Sequence, residues 1–79
     1  MGGIILETWF KHALDRAWGS SVSIEDKRYK TRIQLPFIYY RNKCIATLSD
    51  DKYTIFDMHK RNRIQWLKEW ALEHGIKEG

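Results

Sequence analysis

The sequence has one cysteine, one proline and no apolar run near the ~20 residues that cross a bilayer. Each shortage excludes something. The lone Cys44 rules out an internal disulfide and fits a reducing cytosol. Cys44 lies among apolar residues, so a buried, inert thiol is expected there. His12, His59 and His74 are scattered and form no short ligand pair at metal spacing. There is no glycine-rich phosphate loop, nucleophile elbow or zinc-protease helix. No catalytic residue, cofactor, metal or small-molecule substrate is therefore expected, and a chain of 79 residues leaves little room for a ligand-burying pocket. The opening MGGIILETWF has no basic leader and does not read as a signal peptide, so a cytoplasmic location is expected. No linker, repeat or low-complexity tract divides the chain, which reads as one domain, 1–79.

Aromatic side chains and positive charge are abundant. Four Trp, four Tyr and three Phe give so short a chain the bulk for a dense core. The formal charge is +4, distributed unevenly. Ten basic residues and three acids lie between Lys27 and Arg63, whereas both ends of the chain are mildly acidic. Such a molecule is expected to meet an acidic partner through its middle.

Two amphipathic helices are predicted. In the first, Ile4 to Trp18, Leu6, Phe10, Ala13 and Ala17 share a face, Trp9 and Leu14 flank it, and Gly19 ends it. The second runs from Asp57, as N-cap, to Gly75, just past its end. Ile64, Leu67 and Ala71 form its apolar stripe, with Trp66 and Trp70 beside them.

The stretch between them reads as strands. Val22 and Ile24 alternate with Ser21 and Ser23, and Arg28 to Leu35 alternates strictly. Pro36 marks a strand end, edge or bulge before the apolar Phe37 to Tyr40. A tight turn at Arg41-Asn42 or Asn42-Lys43 leads into Cys44 to Leu48, and Asp50-Asp51 turns into Tyr53 to Phe56. The expected fold is an α+β two-layer sandwich in the order α-β-β-β(-β)-α, with both helices on one face of an antiparallel sheet.

The candidate binding residues fall into three groups. Arg28, Lys30 and Arg32, with Arg41 and Lys43 nearby, are expected as a cationic row on the uncovered sheet face, at ~6–7 Å spacing. His59, Lys60, Arg61 and Arg63 open the second helix, where backbone amides already attract anions. Tyr39, Tyr40, Trp66 and Trp70 could stack bases or anchor a protein partner; Tyr40 and Trp66 are the candidate contact anchors, with Trp66 at the margin of the apolar arc. The expected function is a non-enzymatic binding protein whose basic patch docks on nucleic acid or on an acidic protein surface. The alternative is a protein-protein inhibitor or adaptor held by exposed aromatics, and self-association is a third possibility.

The order α-β-β-β-α with HKR-R opening the last helix is similar in outline to double-stranded-RNA-binding domains. That resemblance implies that His59, Lys60, Arg61 and Arg63 contact phosphates. The Ala-rich body of that family's last helix is replaced here by IQWLKEWAL, and its Gly-rich basic approach is missing. In size, aromatic content and charge polarity the chain resembles the small proteins that bacteriophages use to disable host machinery. That resemblance implies a stoichiometric inhibitor of a host macromolecule, such as a nucleic-acid enzyme, a division protein or a defence protein.

Overall fold

Helix α1, Leu6–Ala17, forms where the 3.6-residue spacing places it and buries Phe10, Ala13, Leu14 and Ala17. Its last turn closes when the Trp18 amide donates to the Leu14 carbonyl at 2.9 Å. The computed structural model describes residues 5–57 and 61–79, without the side chain of Arg61. Six strands follow or flank the helices: β1 Ile24–Asp26, β2 Thr31–Gln34, β3 Phe37–Tyr40, β4 Lys43–Leu48, β5 Lys52–Ile55 and β6 Lys77–Glu78. Helix α2, Arg61–Glu73, lies between β5 and β6.

The sheet is a meander in the order β1-β2-β3-β4-β5-β6, antiparallel as far as β5. β6 then adds parallel to the β5 edge. This is the expected α+β sandwich with more strands than the expected three or four. β6 escapes the sequence reading because two residues, Lys77 and Glu78, carry no alternation to detect. Alternation does assign the faces. Thr31, Ile33, Ile38, Ala46, Leu48 and Tyr53 point inward and are buried with Phe10, Leu14, Leu67 and Trp70 of the helices. Arg32, Gln34, Phe37, Tyr39, Cys44 and Thr47 occupy the opposite positions in the ladder, on the uncovered face.

The two helices are joined by polar contacts as well as apolar ones. Trp70, 2 % exposed, donates its indole N–H to Asp15 at 2.8 Å. Lys11 bridges Glu7 at 3.2 Å and Glu69 at 2.8 Å. Asp15 and Glu69 thus each span the seam between the helices. Gly75 ends α2 as expected. Its φ of +71° lets the Gly75 and Ile76 amides donate to Leu72 and Ala71, and Ile76 turns back into the core.

Two local expectations are corrected, and a third falls partly outside the described residues. β1 begins at Ile24, and Val22 is exposed ahead of it. The Asp57 carboxylate is buried and accepts from Lys43 at 3.3 Å; its expected N-cap role depends on residues 58–60, which lie outside the described residues. Cys44 is half-buried on the uncovered face, because a bulge opposite Ile38 and Tyr39 pairs it with Tyr39 and turns Ile45 inward.

Candidate functional site

In a meander, alternate turns meet at the same end of the sheet. The β1–β2 turn (residues 27–30) and the β3–β4 turn (41–42) therefore lie side by side, and the Arg41 amide donates to the Lys30 carbonyl at 2.8 Å. Both turns need left-handed backbone: Lys30 at φ 53°, Arg41 at 51° and Asn42 at 66°. The pair Arg41-Asn42 makes the two-residue hairpin connection, the first of the two placements expected.

Between these turns and the uncovered face lies a depression of about 340 Å³. Lys27, Lys30, Arg32 and Arg41 supply four cations to its lining, against one carboxylate, Glu25. Tyr39 and Asn42 complete it. Glu25, Arg32 and Tyr39 are cross-strand neighbours on β1, β2 and β3, so the ladder itself aligns them. The Arg32 guanidinium lies 4.2 Å from the Tyr39 ring centroid. Its Nε is buried and has no hydrogen-bond partner among the described residues. A buried guanidinium N–H without an acceptor is a costly arrangement.

The expected row of Arg28, Lys30 and Arg32 does not form as drawn. Only Arg32 lies in a strand; Arg28 and Lys30 belong to the turn. Arg28 is tied to Asp26 through Nε at 3.2 Å and Nη2 at 2.9 Å. That pairing holds the Asp26 carboxyl below its ordinary range, chiefly through the Arg28 side-chain hydrogen bonds. Lys30 and Arg32 still converge, because the turn folds back over the face.

The remaining candidates are distributed differently. Lys43 pairs with Asp57. Arg63 is half-buried, donating from Nε to the Thr31 hydroxyl and from Nη2 to the Tyr29 carbonyl, both at 2.9 Å. Its guanidinium lies 4.3 Å from the Tyr40 ring, and burial lowers its pKa. This lashing accounts for a cation at the positive end of a helix dipole, where an exposed one is unfavourable by roughly 0.3–1 kcal/mol. Arg41 lies over Tyr40 at 5.5 Å and donates to its hydroxyl. Trp66, expected as an exposed anchor, is half-buried against the core, 6.1 Å from Phe10. His59 and Lys60 lie outside the described residues, as does the side chain of Arg61.

Sequence reasoning missed Lys27, Glu25, Tyr39 and Asn42 as one constellation. The signal was available in the meander rule, which brings alternate turns together. It went unused because charge was traced along single strands. Among the described residues no group of three or more His, Cys, Asp and Glu side chains forms a metal site. No helix among them is long and apolar enough to cross a membrane. Comparison of the chain with protein families, with characterised proteins and with solved structures finds no match.

Proposed function

We propose that this is a non-enzymatic binding protein that docks the basic end of its sheet onto an acidic macromolecule. The observation that carries the reading is the convergence of Lys27, Lys30, Arg32 and Arg41 on one concave surface, opposed by Glu25 alone. Four clustered cations raise the local potential, steer an anionic partner in, and release its counterions on contact. The resemblance in kind to bacteriophage takeover proteins supports the finer reading, a stoichiometric modulator of a host's nucleic-acid machinery.

A charge-balanced comparison tests this. The double variant Lys30→Glu, Arg41→Glu should leave immobilised heparin at clearly lower salt than Lys68→Glu, Lys77→Glu, which has the same net charge. Equal elution of the two would mean that only total charge matters, and the docking surface would be lost as an idea. A second reading, a protein binder held by apolar anchors, has its own observation: Phe56 is 60 % exposed.

A further inference from the structure

Strand β3 presents two aromatic rings on the uncovered side of the sheet. Phe37 and Tyr39 are two residues apart, with centroids 6.2 Å apart and planes inclined by 46°. Phe37 is 44 % exposed. Tyr39 lines the basic depression, and Phe37 lies one pleat farther along the strand. The uncovered face of an antiparallel sheet is ordinarily polar at such positions.

We infer that this surface binds single-stranded nucleic acid, with phosphate in the depression and unstacked bases on Tyr39 and Phe37. The inference rests on the reading above and adds the class and strandedness of the partner. Three observations favour it. Rings on alternate residues of a strand stand ~6–7 Å apart, far enough for each to take a separate base. In a duplex the base faces are already stacked on one another and are closed to such rings. The cations that would widen the patch to suit a duplex are committed elsewhere, Arg28 to Asp26, Lys43 to Asp57, and Arg63 to Thr31 and Tyr29, while Arg41 at the rim of the depression also donates to the Tyr40 hydroxyl.

An acidic protein surface would answer the charges, but its carboxylates give the two rings nothing to stack on. The guanidinium of Arg32, stacked by Tyr39, adds a planar cation of the kind on which bases also pack. Strand β3 has four residues and so spans ~13 Å, room for two or three nucleotides. With two or three phosphates engaged, log K should fall with log salt at a slope of about −1.5 to −2.

The experiment measures fluorescence anisotropy of the full chain with three labelled probes: an oligothymidine of about ten nucleotides, a duplex of equal length and polyglutamate. The single strand should bind at least about tenfold more tightly than the duplex. Phe37→Ala and Tyr39→Ala should each weaken single-strand binding by about tenfold, while duplex binding stays within about twofold. Phe37→Tyr should retain full affinity, and unchanged melting temperatures would certify the folds. Equal binding of the two nucleic acids, or indifference to both ring truncations, would overturn the single-strand inference and leave the basic docking surface standing. Tighter binding of polyglutamate would overturn it in favour of an acidic protein. Binding of none of the three would overturn both.

Discussion

Arg32 and Arg63 make the same contact on opposite sides of one strand. Each guanidinium lies against a tyrosine of β3, Arg32 at 4.2 Å from Tyr39 and Arg63 at 4.3 Å from Tyr40. Tyr39 and Tyr40 are consecutive, so the pleat sends one to the uncovered face and the other toward the helices. The inner arginine finds acceptors in Thr31 and Tyr29, and ties the start of α2 to the sheet. The outer arginine has a buried Nε without a partner. One pair serves folding, and the other has donor capacity left over. An arginine–aromatic stack is thus no guide to role; what distinguishes the two is where the remaining N–H groups go.

Breaking the inner pair should produce the largest effect on stability. Arg63→Ala removes two charge-assisted hydrogen bonds and should lower unfolding free energy by about 2–3 kcal/mol in urea titrations. Arg63→Lys should recover only part of this, because an ammonium cannot reproduce the planar fork. A loss under about 0.5 kcal/mol would mean that the helix start is held by something else.

Aromatic truncation draws the same line between the faces at a smaller scale. Trp66→Ala, on the covered side, should cost about 2 kcal/mol, below the range for fully buried rings because Trp66 is only half-buried. Phe37→Ala, on the open side, should stay within about 0.5 kcal/mol. Similar losses at both positions would indicate that the open face is covered in solution. Arg32→Ala should fall between these, within about 1 kcal/mol, since it forfeits one cation–π contact and relieves an unsatisfied donor. Its consequence should be read in ligand affinity.

The smallest effect expected is that of pH. Asp26 and Glu69 have folded pKa values lowered by Arg28 and Lys11 respectively, so each binds its proton less readily folded than unfolded. Their contribution is present above about pH 4.5 and is lost as pH falls through the folded values. Lys11 and Tyr53 have raised values, Lys11 from the Glu69 hydrogen bond and Tyr53 from burial. Their contribution is present below about pH 10 and is lost as pH rises through the folded values. Melting temperature against pH should therefore be flat in the middle and droop modestly at both ends. A maximum displaced to either extreme would contradict these directions.

How much of this was legible without coordinates depends on the range of the cause. α1, its buried stripe, the alternation of Thr31 to Gln34 and the Gly75 stop follow from local periodicity and backbone preference, and the sequence shows all of them. The Trp70–Asp15 and Lys11–Glu69 links join residues more than fifty positions apart, and periodicity carries no information about the rotation of one helix against another. Arg63 misled for a related reason. A cation at a helix start suggests an external anion, unless a partner thirty residues earlier is known to be within reach. The depression fell between these cases: its four cations were counted, but their meeting depends on which turns share an end of the sheet.

The bulge in β4 has a consequence for changes of chain length. Ile45 is the supernumerary residue, since Ile38 pairs with Ala46 and Tyr39 with Cys44. Excising Ile45 would leave a plain ladder in which every other side chain keeps its side, at the loss of one apolar group and of the carbonyl that receives the Phe56 and Asp57 amides. Excising Asn42, three residues away, would leave Arg41 alone to join Tyr40 to Lys43, too short a span for the hairpin, so the pairing would have to slip and Cys44 would trade places with its neighbours. Two deletions of equal size thus have opposite standing, one an anatomical simplification and the other a frameshift in three dimensions.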